Sequence, residues 1–105
     1  MTIFEQLLEY FAGREDRLHT AAEIKSELEA RYGTNPTSVI PSDYCYNRWN
    51  KGVTTQKPIL DWVGPGEYRF IGPDQQYSGA IFGRSRGEAE DQQIGEWKNG
   101  HRKLY

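Results

Sequence analysis

The chain has 105 residues, enough for one domain with a single modest core. Its 13 Lys and Arg side chains against 15 Asp and Glu give a net charge of −2, which excludes a uniformly basic nucleic-acid coat protein. The lone cysteine excludes an internal disulfide, and neither a membrane-spanning run nor a signal peptide is visible. These features predict a single cytoplasmic domain over residues 1–105, with no membrane partner.

Charge is distributed unevenly along the chain. Residues 1–30 carry seven acidic and three basic side chains, whereas residues 31–60 carry one acidic and four basic ones. A domain polarised in this way can present one face to an anionic partner while the other face repels it. The asymmetry therefore favours a binding function modestly.

Two amphipathic helices are predicted at the start of the chain. Capping-box patterns begin at Thr2 and at Thr20, where a threonine is followed three residues later by a glutamate. Apolar residues at helical spacing follow each pattern and predict helices over residues 3–12 and 21–32, each ended by a glycine. Residues 14–19 are charged and are expected to form an irregular connection.

Residues 41–51 are predicted to form a third helix, because Pro41 suits a first helical turn and Gly52 suits the end of a helix. This span is rich in side chains that pair with phosphate, hydrogen-bond base edges or stack on bases. The alternative is a short amphipathic helix that buries its aromatic side chains and solvates the rest. The candidate nucleic-acid contacts are Tyr44, Tyr46, Asn47, Arg48, Trp49, Asn50 and Lys51, together with Lys57 and Arg69 from the segment that follows.

The second half of the chain is predicted to form β-hairpins. Residues 57–63 and 67–71 are strand-like and flank a Gly-Pro-Gly turn. Residues 77–82 have strand character, and Asn99-Gly100 is typical of a type I′ turn between two C-terminal strands. The cations of that last hairpin could extend a basic surface, but neighbouring acidic residues largely cancel them.

The order of these elements resembles the winged helix-turn-helix family over residues 2–72. The expected fold class is α+β: a three-helix winged-helix unit with a β-hairpin wing over residues 59–71, and an additional C-terminal antiparallel β-hairpin. Residues 73–105 would form a β extension packed on that unit. The resemblance implies that residues 43–51 enter the major groove of duplex DNA and that the turn after residue 63 lies along a phosphate backbone.

Duplex DNA is therefore the favoured partner. A transcriptional regulator and a DNA-reading component of a bacterial defence system both fit this hypothesis. The acidic overall charge and the lack of Lys or Arg in the Gly64–Glu67 turn favour the alternative of a protein-interaction module or adapter. A homodimer would form through the first helix or the C-terminal hairpin.

Catalysis is the less favoured alternative. The pattern Pro73-Asp74 followed by Glu96-Trp97-Lys98 resembles the signature of metal-dependent nucleases. In that family Asp74 and Glu96 would hold Mg²⁺, and Lys98 would help to polarise the attacking water. The signature is loose, and one cysteine with two histidines does not supply a zinc site. We therefore expect no catalytic residue, no metal and no cofactor.

Overall fold

The computed structural model describes residues 1–15, 17–49, 57–83 and 90–105. Within these ranges the chain forms two α-helices, α1 (Ile3–Phe11) and α2 (Ala21–Tyr32), and two 3₁₀ turns, Pro36–Ser38 and Pro41–Tyr44. No helix in this part of the chain is long and apolar enough to cross a lipid bilayer. The six strands are β1 (Leu18–Thr20), β2 (Leu60–Gly64), β3 (Glu67–Phe70), β4 (Gly79–Gly83), β5 (Gln92–Lys98) and β6 (His101–Leu104).

The two predicted N-terminal helices are confirmed. At α1 the Thr2 hydroxyl accepts from the Glu5 backbone N–H at 3.1 Å, and the Glu5 carboxylate accepts from the Thr2 N–H at 2.9 Å. At α2 the Thr20 hydroxyl caps the Glu23 N–H at 3.1 Å. The Glu23 carboxylate instead accepts from the Tyr10 hydroxyl and the Arg17 guanidinium, so it joins the two helices.

The first sheet and the helices enclose the main core. The strand order is β1-β3-β2, with both pairs antiparallel. Apolar side chains of α1 and α2 pack against this sheet and against the second 3₁₀ turn. This packing removes apolar surface from water and so stabilises the fold. The core comprises Leu7, Tyr10, Phe11, Ile24, Leu28, Val39, Tyr44, Cys45, Ile59, Leu60 and Tyr68.

The second sheet has the order β4-β5-β6, again antiparallel throughout. Asn99 and Gly100 between β5 and β6 have φ values of 49° and 81°, the left-handed values that a type I′ turn needs at both central positions. The predicted C-terminal hairpin is therefore present. All four residues of β6 are exposed, and within the described residues β6 pairs only with β5.

The predicted third helix over residues 41–51 is wrong. The helical turn begins at Pro41 but ends at Tyr44, and the backbone then runs between the two sheets. Tyr46 N–H donates to Leu60 O at 2.8 Å on one side, while Phe82 N–H donates to Asn47 O at 3.0 Å on the other. Because these backbone groups pair with β2 and β4, tertiary hydrogen bonds override the local helical signal.

The three-helix winged-helix unit is therefore also wrong, although the chain is α+β overall. The described residues contain two α-helices and six strands in two antiparallel sheets. The connection predicted as irregular over residues 14–19 contributes β1, which pairs with β3 through His19 and Tyr68. Residues 45–49, named here the linking segment, occupy the place given to the recognition helix.

Candidate nucleic-acid interface

Two of the predicted stacking residues are buried, Tyr44 at the end of the second 3₁₀ turn and Tyr46 in the linking segment. Tyr44 and Tyr46 are 6% and 2% exposed. The Tyr46 hydroxyl donates to Gly72 O at 2.6 Å and accepts from Gln75 N–H at 3.2 Å, and its ring stacks on Tyr77 at 4.7 Å. Burial raises the pKa of the Tyr46 phenol, so the hydroxyl stays a donor at neutral pH. Both rings build the protein interior.

Asn47 and Arg48 also have partners inside the protein. The Asn47 side-chain amide donates to Trp62 O at 2.8 Å and accepts from Trp62 N–H at 2.8 Å. It thus makes the two hydrogen bonds that the backbone of a neighbouring strand would otherwise make with Trp62. Arg48 contacts both oxygens of Asp91, the shorter at 2.6 Å, and its guanidinium lies 5.0 Å from the Trp62 ring centroid. These two side chains hold the linking segment to both sheets.

Trp49 lies at the surface beside a cation from the second sheet. The Arg102 guanidinium lies 4.8 Å from the Trp49 ring centroid and 5.7 Å from that of Trp97. Cation–π contacts of this kind keep the guanidinium over the rings while its edge remains available to a ligand. Arg102 is thus exposed and its position is constrained.

The opposite face of the β5–β6 hairpin is basic. Lys98 lies across from His101, and Glu96 lies across from Lys103, so these four side chains share one face. All four are exposed. No carboxylate of the described residues forms an ion pair with Lys98 or Lys103. We name Lys98 and Lys103, together with Arg102 on the other face of the hairpin, the hairpin cation group.

A pocket of about 360 Å³ lies between the hairpin turn and residues 74–76. Tyr46 and Trp97 supply its aromatic wall. Amide groups of Gln75, Gln76 and Asn99 also line it, and its charged groups are those of Lys57 and Asp74. His101 completes the rim and connects this pocket with the hairpin cation group.

The remaining predicted contacts lie apart from the linking segment. Lys57 and Asp74 form an exposed ion pair at 3.1 Å. Arg69 is exposed on β3, which belongs to the first sheet, whereas the hairpin cation group lies on the second. Asn50 and Lys51 lie outside the described residues, so their role stays a prediction.

The three residues of the nuclease-like pattern are not brought together. Glu96 and Lys98 lie on one face of β5, while Trp97 between them points to the pocket that Asp74 lines. Within the described ranges, no three His, Cys, Asp or Glu side chains are grouped as metal ligands. Asp74 thus lines a different pocket from Glu96 and Lys98, and joint catalysis by the three residues stays a prediction.

The sequence analysis gave little weight to the cations of the C-terminal hairpin, which the structure leaves exposed. Their signal was present in the strong Asn-Gly turn and the cations on both sides of it. Acidic residues nearby appeared to cancel that charge. The pairing of Asp91 with Arg48, across 43 positions of sequence, could not be read from residue order.

Comparison with known proteins gives a family without an assigned activity. A family profile described as a domain of unknown function (DUF7225) matches residues 2–104. The uncharacterized protein YnaC of Bacillus subtilis (strain 168) is 40% identical over 104 residues. The match covers 99% of this chain and 40% of YnaC, so the chain spans less than half of that relative. No solved structure matches.

Proposed function

The chain belongs to the DUF7225 family, and we propose that it binds duplex DNA through the hairpin cation group. The observation that carries this proposal is the exposed face with Lys98, His101 and Lys103 on a two-stranded ribbon. The major groove of B-DNA admits a two-stranded β-ribbon as well as an α-helix. Duplex DNA, the partner expected from the sequence, is proposed again, but the proposed interface is now the C-terminal hairpin instead of residues 41–51.

The arrangement of charge supports this assignment. The hairpin strands carry Lys98, Arg102 and Lys103 against Glu96 alone, whereas α1 carries only acidic charges, Glu5 and Glu9. A phosphate backbone would be attracted to the hairpin and repelled by α1. The protein would therefore approach DNA in one orientation despite its acidic overall charge.

The location of the nearby predicted contacts is compatible with the same interface. Trp49 contacts Arg102, and Lys57 lines the pocket that the hairpin turn closes. Lys98 and Lys103 on the exposed face can bind phosphates or the acceptors of a guanine edge. A cytoplasmic location belongs to this proposal too, because Cys45 is a free thiol.

The test is a titration of a labelled mixed-sequence duplex, followed by fluorescence anisotropy at low salt and again at rising salt. We expect Lys98→Gln and Lys103→Gln each to weaken binding and to reduce the slope of log affinity against log salt by about 1. Lys25→Gln removes the same charge from α2, outside the hairpin, and serves as the control. Absence of binding at low salt, or an equal loss in Lys25→Gln, would overturn the proposal.

A protein partner is the second candidate, and the exposed edge of β6 favours it. Tyr105 N–H donates to Ile94 O, so strand alternation turns the N–H of Leu104 away from β5 and toward that edge. A strand from a second copy or from another protein could pair there. Leu104→Pro would then abolish association in sedimentation experiments while leaving DNA affinity unchanged.

A further inference from the structure

The pocket between the hairpin turn and residues 74–76 has a prearranged wall. Asn99 N–H donates to the Ser78 hydroxyl and Gly100 N–H donates to Tyr77 O, both at 2.9 Å. A Cβ at Gly100 would lie 3.2 Å from Gln75 O, so glycine permits the close approach of the turn. The hairpin turn is thereby fixed against the segment that forms the other side of the pocket.

The aromatic side of the pocket is fixed as well. Trp97 Nε1 donates to Tyr46 O at 2.7 Å, and the two rings meet edge to face at 5.2 Å. With its N–H already bonded inside the protein, the indole contributes apolar ring atoms to the lining of the pocket. A flat ring surface that cannot turn away is suited to stacking against a planar ligand.

The polar groups of the pocket suit a planar heterocycle with both donors and acceptors. Within the described residues the Gln76 side chain makes no hydrogen bond, whereas Gln75 donates to Pro73 O, so the donor and acceptor groups of Gln76 are available. The Lys57–Asp74 pair is 60% and 76% exposed at its side chains and is therefore weak and easily rearranged. The carboxylate can accept from an exocyclic amino group, and the ammonium can bind a phosphate.

The volume of the pocket and its position beside the hairpin also suit a nucleobase. The volume of about 360 Å³ falls within the range of small-ligand pockets, which is roughly 300–1,000 Å³. Asn99 and His101 line both this pocket and the surface that carries Lys98 and Lys103. A phosphate backbone on the hairpin would thus pass directly beside the opening of the pocket.

We propose that this pocket holds one nucleobase rotated out of the duplex that the hairpin cation group binds. The inference rests on the proposed function, because the duplex must first be held by the hairpin. Rotation of a base out of the stack costs unpairing free energy, and that cost is least for a base that has no partner. The free energy of stacking on Trp97 and of hydrogen bonding to Gln76 would offset it.

The experiment compares three duplexes of one sequence, with affinities measured by anisotropy. The first is fully paired, the second places an intact base opposite an abasic site, and the third has the abasic site in the position of that base. The second and third duplexes are both locally flexible, but only the second has an unpaired base at the test position. We expect the second to bind about tenfold more tightly than the first, and the third to show no gain.

Matched glutamine variants assign the gain to the pocket. Gln76→Leu removes a donor and an acceptor from the lining while keeping the size of the side chain, so the preference for the second duplex should disappear. Gln92→Leu makes the same change on β5 away from the pocket and should keep the preference. Unchanged affinity for the fully paired duplex would show that both variants remain folded.

The possible failures are distinguishable. If no duplex binds at low salt, the proposed function itself fails. If the paired duplex binds but the second duplex gains nothing, or gains no more than the third, only the base pocket is overturned. Loss of the preference in Gln92→Leu as well as in Gln76→Leu would likewise remove the pocket from recognition.

Discussion

The amide of Asn47 illustrates how one side chain can satisfy a strand that lacks a neighbour. Trp62 offers both a backbone donor and a backbone acceptor at this position, and the amide bonds both at 2.8 Å. A backbone polar group that loses its partner on burial costs free energy comparable to the lost hydrogen bond. We therefore expect the main contribution of Asn47 to be to the stability of the fold.

We expect Asn47→Ala to lower the free energy of unfolding by about 1–3 kcal/mol, because two partly buried groups of Trp62 lose their partner. Urea denaturation followed by tryptophan fluorescence measures the change. DNA affinity of the remaining folded protein should stay as before. Unchanged stability combined with weakened DNA binding would instead identify Asn47 as a contact to DNA.

Cys45 provides a probe of the core that needs no engineered label. The thiol belongs to a residue that is 6% exposed, and its sulfur donates to Pro41 O at 3.6 Å. Burial raises the pKa of the Cys45 thiol, so the reactive thiolate is scarce at pH 8. We expect Ellman's reagent to react slowly with the native protein and at once in urea. Rapid reaction of the native protein would contradict the burial of this residue.

At the scale of elements, the sequence predicts those helices and turns that short local patterns specify. Thr2 and Thr20 mark the two helix starts, and the Asn99-Gly100 turn marks the C-terminal hairpin. The linking segment is different, because its extended form depends on Leu60 and Phe82, which are distant in sequence. Strand β1 has only three residues, too few for a periodic pattern to identify it.

The candidate site was harder to predict for the same reason. Aromatic and cationic residues in the linking segment have the composition of a nucleic-acid contact, but Tyr46 and Arg48 find their partners in Gly72 and Asp91. Composition states what a side chain is able to bind. Tertiary structure decides which side chains remain available for a ligand.

Gly95 on β5 gives a prediction for the second sheet. A Cβ at this position would lie 2.5 Å from Lys103 O and 3.0 Å from Leu104 Cα, both backbone atoms of β6. Gly95→Ala should therefore separate β5 from β6 and lower the free energy of unfolding by about 1–3 kcal/mol. Gly64→Ala is the control, because a Cβ there would meet only a carboxylate oxygen of Glu67 at 4.0 Å. Equal stabilities of the two variants in urea would contradict this packing.

At the scale of the whole molecule, the two sheets share the linking segment. Tyr46 N–H bonds β2, while Asn47 O and Trp49 N–H bond Phe82 of β4. Trp97 of β5 bonds the Tyr46 carbonyl, and the Tyr46 hydroxyl bonds Gly72. Each sheet therefore forms hydrogen bonds with the backbone of the linking segment, and loss of either sheet would leave part of that backbone without partners. This arrangement predicts that the sheets unfold in a single cooperative step.

The same arrangement predicts that residues 1–72 do not form a stable domain. Removal of residues 73–105 would expose the Tyr46 ring and leave the Asn47 carbonyl and Trp49 N–H without their partners in Phe82. We expect the fragment to lack a cooperative thermal transition by circular dichroism, whereas the full chain shows one. Trp97→Phe in the full chain keeps an aromatic ring but removes the indole donor to Tyr46 O, and should lower the melting temperature without abolishing the transition. A fragment that melts cooperatively at the temperature of the full chain would show that the first sheet and the helices fold alone, and that β4, β5 and β6 form a separate binding module.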